Sequence, residues 1–283
     1  MNFYNFRDYN YINRLVWKTL SKIPEDIDII VTIPRSGTLI GTMIAEYRKL
    51  PLLTIFEAEA ELKTKKFNCG SFAPQNINVN LSDSKILLVD DACGFGITID
   101  NAKKELNNKF PKSEILTYSL FVEPYSTNKV DIYGEILSDQ FLPFNTLKRA
   151  VYYGAFDLDG VICEDIPDPE TDDDGERYLS FIKTAKPRFI PHEPIILVTG
   201  RLEKYRSVTE EWLHEHHIGV KQLIMCPCNT IEERKRLNPA IYKANVYSNS
   251  KLLVFVESNF DEAKIISGIS KRPVFCTDIM EMC

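Results

Sequence analysis

Short apolar runs alternate along this chain with stretches whose apolar residues recur at helical spacing. Runs at residues 28–33, 52–56, 86–89, 115–122, 152–156, 195–198 and 252–256 are rich in Ile, Leu, Val and Phe. Each is followed by a polar or glycine-bearing loop. Such runs predict buried strands. Ile12, Leu15, Val16 and Leu20 mark one face of a helix over residues 11–21, and helices are expected over 38–48, 100–107, 207–217 and 239–246. Alternation of strands and helices predicts parallel sheets of the α/β class. A chain of 283 residues can bury two cores. Two doubly wound parallel-sheet domains are therefore expected, residues 1–148 and 149–283, with a short linker at about residues 145–151.

Charge narrows the partners. Lys and Arg number 34 against 40 Asp and Glu, a net charge of −6, so non-specific nucleic-acid binding is not expected. No apolar run is long enough to span a membrane, and the start, MNFYNFRDYNYINR, is unlike a signal peptide. A cytoplasmic protein is expected. The seven cysteines, an odd number scattered along the chain, fit reduced thiols. Cys226-Pro-Cys228 has no second pair at zinc-site spacing and is expected to be structural.

The densest chemistry lies in KILLVDDACGFGITI, residues 85–99. An apolar strand ends in Asp90 and Asp91, followed by Gly94, Gly96, Thr98 and a helix. The glycines let backbone N–H groups converge on phosphate oxygens, and the helix N-terminus adds partial positive charge. The two carboxylates can accept hydrogen bonds from sugar hydroxyls or hold a hydrated Mg²⁺. This stretch resembles the phosphoribosyl-diphosphate (PRPP) motif of type I phosphoribosyltransferases. The resemblance covers roughly the first 148 residues and implies PRPP contacts from Asp90, Asp91, Cys93, Gly94, Phe95, Gly96, Ile97 and Thr98. It also implies a diphosphate loop at Arg35, Ser36 and Gly37, where a guanidinium beside small residues suits anionic oxygens. Residues 57–81 correspond to a loop that in this family closes over PRPP, with Lys63, Lys65 and Lys66 able to touch the diphosphate. Asp131 and Tyr133 are candidate acceptor contacts, and Glu57, Glu59 and Asp131 are candidate bases. The chain departs from the purine enzymes at Gly94, where they carry the Asp that manages a purine proton. An acceptor other than a purine is expected.

The second half carries different chemistry. Asp157-Leu158-Asp159-Gly160 follows an apolar strand, and two acids two residues apart on extended chain face the same side. Thr199-Gly200-Arg201 ends a second strand, Lys243 lies on a helix-like stretch, and Glu257 with Asp261 follows a third strand. In this order the motifs resemble the haloacid-dehalogenase-like phosphatases, a Rossmann-like fold. The resemblance implies Asp157 as nucleophile, Asp159 as acid–base, Thr199 holding a phosphate oxygen and Lys243 neutralising the site. It implies Mg²⁺ held by Asp157, Asp159, Glu257 and Asp261. The acidic insertion at residues 161–194 is too short for a full cap domain, which leaves the site open to a bulky substrate.

Fusing a phosphatase to a phosphoribosyltransferase would waste a nucleotide's 5-phosphate. It makes sense where the wanted product is a plain ribofuranosyl group. The whole chain resembles the dual-domain ribofuranosyltransferases of bacterial surface-polysaccharide assembly. This implies phosphoribosyl transfer from PRPP to a hydroxyl of a lipid-linked glycan, followed by removal of the 5-phosphate. Two alternatives stay open: a nucleobase phosphoribosyltransferase joined to a nucleotidase, with Tyr133 or Phe141 stacking on the base, and a PRPP-sensing module that regulates a phosphatase.

Overall fold

The computed structural model describes residues 5–59, 81–139, 141–168 and 171–283. Contacts divide the chain into a first unit, Tyr9–Gln140, and a second, Phe141–Cys283, which the N-terminal stretch up to Asp8 joins.

The first unit holds a five-stranded parallel sheet, with β1 (Ile29–Thr32), β2 (Leu52–Thr54), β3 (Lys85–Cys93), β4 (Glu114–Val122) and β5 (Ile132–Ile136). Its spatial order is β2-β1-β3-β4-β5. Its helices are α1 (Tyr9–Thr19), α2 (Ser36–Arg48), α3 (Ile55–Glu59) and α4 (Ile97–Lys109). Ile29 to Thr32 and Ile86 to Asp90 are all buried, the continuous pattern of strands covered on both faces. The central strand β3 outruns its apolar stretch. It pairs with β4 as far as Cys93↔Val122, so the strand runs two residues past the acid pair at which it was expected to end. The run at residues 52–56 divides differently from expectation, its last two residues opening α3.

The second unit contains α5 (Pro143–Tyr153), β6 (Gly154–Phe156), α6 (Glu176–Thr184), β7 (Ile195–Leu202), α7 (Arg206–Glu215), β8 (Val220–Cys226) and α8 (Ile231–Leu237). It continues through α9 (Pro239–Ser248), β9 (Val254–Glu257), α10 (Phe260–Ser270), β10 (Val274–Cys276) and β11 (Glu281–Met282). The sheet order is β11-β10-β9-β6-β7-β8. It is mixed where a wholly parallel sheet was expected, because β11 returns antiparallel on β10 through a tight turn. A parallel return needs a crossover of a dozen or more residues.

The expected linker at residues 145–151 is helical. It forms most of α5, whose Thr146, Ala150 and Val151 are buried, and the contact boundary falls at Gln140/Phe141 rather than 148/149. The N-terminal stretch pairs with the same segment. Phe6 bridges Phe141 in parallel, Arg7 N–H donates to Phe141 O (2.8 Å), and Phe141 N–H donates to Asn5 O (3.1 Å). The Phe6 and Phe275 rings lie 5.6 Å apart. Among the described residues no helix is long and apolar enough to cross a membrane. Cys93, Cys163, Cys226, Cys228, Cys276 and Cys283 are free thiols.

Candidate functional site

In α/β sheets ligands gather outside the carboxyl ends of central strands. β3 is central in the first sheet, and β6 and β9 are central in the second. Both sets of candidate residues occupy those ends.

In the first unit, Asp91 N–H donates to Asp90 Oδ1 (2.9 Å), and the Ser36 hydroxyl donates to Asp91 Oδ1 (2.8 Å). The loop after β1 is thereby tied to the acid pair. A Cβ on Gly37 would stand 2.9 Å from Val89 O and 3.0 Å from Asp90 Cα, so only glycine lets α2 approach β3 this closely. The Pro34–Arg35 peptide is cis, and Arg35 is exposed at the N-cap of α2. A pocket of about 240 Å³ is lined by Asp90, Ala92 and residues 93–99. Gly96 caps α4 at φ +80°, and Ile97, Thr98 and Ile99 open the helix beneath the pocket. Free N–H groups of a helix's first turn bind anions.

Within that loop the side chains divide. Cys93 is buried, whereas the side chains of Phe95 and Ile97 are largely exposed. Asp90 is buried, and its carboxyl is pushed up to about 8, first by burial and then by the charge of Asp91.

Other candidates of this unit serve the fold. The Asp131 carboxylate accepts from Thr117 N–H and hydroxyl (both 2.8 Å) and pairs with Lys103 at 3.3 Å, which fixes the start of β5. Burial alone would raise its pKa, and these partners outweigh that and lower it. Glu57 closes the turn into α3 by accepting from Thr54 N–H (2.7 Å) and hydroxyl (2.8 Å). The Tyr133 ring packs on the sheet core and under Lys22 Nζ. Phe141 is wholly buried in the second unit, beneath the Arg149 guanidinium. Phe141 is therefore not presented to a base, whereas Tyr133 stays partly exposed. Lys63, Lys65, Lys66 and most of the loop at 57–81 lie outside the described residues.

In the second unit, Asp157 leaves the end of β6 and Glu257 ends β9, neighbouring strands of the sheet. Lys243 on α9 reaches between them. Its Nζ donates to Asp157 Oδ2 (2.7 Å), Glu257 Oε2 (2.8 Å) and Glu262 Oε2 (2.9 Å). Glu257 Oε1 accepts from Ser258 N–H (2.9 Å) and Asn259 N–H (3.2 Å). Three carboxylates face one ammonium. Burial disfavours the charge on Lys243, but the carboxylates outweigh it and hold the lysine protonated. Burial, then the Glu257 charge, raises Asp157 well above the usual carboxylate range.

Asp159 is held separately. Arg201, whose side chain is wholly buried, grips it through Nε (3.0 Å to Oδ2) and Nη2 (2.5 Å to Oδ1), and Arg201 also reaches Thr209 Oγ1 at 3.3 Å. Such a planar fork orients a carboxylate in a way a lysine cannot. Thr199 is buried, its hydroxyl oxygen accepting from Arg201 N–H (3.2 Å). Asp261 stands apart from the cluster. Its side chain is 88 % exposed and lies 3.7 Å from Lys264, while the next residue, Glu262, turns inward. Glu262 and the Arg201 fork are the site residues that motif spacing missed. Helix phase could have found the first, because Glu262 is four residues before buried Ile266, whereas Asp261 is four before exposed Ile265.

A Mg²⁺ ion fits these groups. Asp157 Oδ1 is buried with no hydrogen-bond partner, and three carboxylates face a single ammonium. Among the described residues no three His, Cys, Asp or Glu side chains form a ready metal cage, but Mg²⁺ commonly uses one or two carboxylates with water and substrate oxygens.

Comparison with known proteins bears on the first unit. The phosphoribosyl transferase domain model matches residues 7–140. A purine phosphoribosyltransferase structure from Pyrococcus horikoshii Ot3 aligns with a TM-score of 0.37 at 18% identity, covering 49% of this chain and 92% of that one. The xanthine-guanine-hypoxanthine phosphoribosyltransferase of Helicobacter pylori aligns with a TM-score of 0.38 at 15% identity, covering 51% and 93%. An orotate phosphoribosyltransferase from Aeropyrum pernix gives 0.30 at 12%, covering 44% and 68%. No curated protein matches the chain.

Proposed function

We propose that this chain, a phosphoribosyltransferase-type domain at residues 7–140 joined to a second α/β unit, performs a two-step ribofuranosyl transfer. In the first step a glycan hydroxyl oxygen attacks the anomeric carbon of PRPP, the bond to diphosphate breaks with inversion, and the hydroxyl proton leaves to water or with the diphosphate. Arg35 would take up charge on the departing diphosphate, the backbone at residues 94–98 would hold the 5-phosphate, and Asp90 and Asp91 would accept from the ribose hydroxyls. Gly94, with no carboxylate to offer a ring nitrogen, and the burial of Phe141 favour a glycan over a base. In the second step the haloacid-dehalogenase-like unit would remove the 5-phosphate. Asp157 attacks phosphorus, the bond to the sugar oxygen breaks with a proton from Asp159, and water then releases the phosphate from Asp157. Asp157, the Asp159 carbonyl and Glu257 would hold a Mg²⁺ ion, which would supply positive charge to phosphate oxygens.

The observation that carries this reading is the convergence of Asp157, Lys243, Glu257 and Glu262 in one buried cluster, on the same chain as a phosphoribosyltransferase-type domain. Its test uses Asp157→Asn with PRPP, Mg²⁺, lipid-linked or synthetic glycans and nucleobases, with products read by mass spectrometry. The variant is expected to leave a phosphoribosylated glycan that wild-type protein trims to the ribosyl form. Nucleotide formed from a base would reassign the chain to salvage, and PRPP bound but never consumed would make the first unit a sensor.

A further inference from the structure

The loop that carries Gly94 presents two aromatic rings to solvent. Phe95 is 74% exposed and Tyr125 60%, with ring centroids 5.4 Å apart and planes tilted by 30°. Exposed rings placed side by side are a costly way to finish a surface, and clustered apolar exposure marks interaction sites. Both rings stand on fixed backbone. Glu123 N–H donates to Cys93 O (3.0 Å), and the Ser126 hydroxyl donates to Gly94 O, which pins the segment bearing Tyr125 to the loop bearing Phe95.

The space beside them is open and acidic. A Cβ built on Gly94 meets nothing within 4 Å. The Glu123 carboxylate accepts from Asp139 N–H (3.0 Å) just past the end of β4. Glu123 lies two residues before Tyr125 on the same pinned segment, and the Asp139 backbone sits against its carboxylate. One aromatic face, an empty volume and carboxylates that only accept hydrogen bonds together select a ligand with an apolar face and donating hydroxyls. A sugar ring has both.

We propose that Phe95 and Tyr125 form the acceptor platform of the transfer step. A sugar ring of the acceptor lays its C–H face on the two rings and donates hydroxyls to Glu123, over the open space at Gly94. This rests on the phosphoribosyl-transfer reading of the first unit, and it moves Phe95 from PRPP contact to acceptor contact. The platform sets which acceptor binds; the backbone beneath it holds PRPP.

The test separates the two claims. PRPP affinity is measured by calorimetry on wild type, Phe95→Ala and Tyr125→Ala. Saturation-transfer NMR on the PRPP-loaded proteins then reads binding of octyl glycosides of common hexoses, against xanthine and guanine. Both residues are exposed, so the variants keep the fold. Irradiating the aromatic protons of wild type is expected to transfer magnetisation to sugar-ring protons, and each variant to lose glycoside affinity about tenfold, the loss of roughly 1.4 kcal/mol of ring contact, with PRPP affinity unchanged in Tyr125→Ala. If wild type fails to bind PRPP, the reading of the first unit falls and the platform with it. Should PRPP bind while glycoside affinity ignores both substitutions, or should only the bases or no ligand bind, the platform alone is overturned.

Discussion

Two acid pairs sit at the ends of central strands, and each solves the problem of crowded negative charge in its own way. Asp90 and Asp91 are neighbours in sequence, and among the described residues neither forms an ion pair. Repulsion is relieved by a proton, and burial and Asp91 push the Asp90 carboxyl to about 8. Burial and the Glu257 charge raise Asp157 as well, but Asp157 and Asp159 each have in addition a buried cation of their own, Lys243 at 2.7 Å and Arg201 at 2.5 Å. A pair awaiting donors from a ligand can be left half-protonated. A pair held in place by built-in cations keeps its geometry before any ligand arrives.

The largest effect should come from removing one of those cations. Lys243→Met leaves Asp157 and Glu257 buried without their ammonium, and is expected to cost about 3–5 kcal/mol in urea unfolding of the second unit. A loss below about 1 kcal/mol would mean that the cluster relieves its charge by protons, like the first pair. Next is the pH response of Asp90. Its folded-state pKa is raised, so the unfolded chain releases the proton first. Its effect on the stability of the first unit is therefore a decline between about pH 4 and pH 8, flat above. Asp90→Asn removes that slope. The variant should gain a few kcal/mol over wild type at pH 8 and almost nothing at pH 4, read from thermal midpoints across pH. Equal gains at both pH values would mean the carboxyl is not the strained group. The smallest contrast lies on α10. Glu262→Gln loses a partly exposed partner of Lys243 and should cost about 1 kcal/mol, whereas Asp261→Asn should stay within about 0.5 kcal/mol. A larger cost at Asp261 would reverse the helix phase described for this site.

Much of this was legible in the sequence where backbone chemistry decides the outcome. The strands announce themselves as apolar runs, and Gly37 and Gly96 stand where a side chain would clash with β3 or where φ is positive. Side-chain direction was harder. Spacing located a carboxylate after Glu257, but the phase of α10, set by its Asn259 cap, decides which of Asp261 and Glu262 turns inward. Arg201 follows Thr199 in a motif, yet its fork onto Asp159 spans 42 positions of sequence and needs the sheet to bring β7 beside β6. Asp131 looked like a free carboxylate because its partner, Thr117, lies on a neighbouring strand. The end of the sheet also escaped notice, since β11 is only two residues long and carries no periodic signal.

The pairing of residues 5–7 with Phe141 makes the first unit an insertion within the second. During synthesis residues 5–7 leave the ribosome with no partner until Phe141 and, far later, Phe275 have been made, so the second unit's native topology closes only after the whole of the first unit has been made. For the same reason, cutting the gene at the Gln140/Phe141 boundary does not yield two intact parts: one fragment carries off a strip of backbone that the other needs.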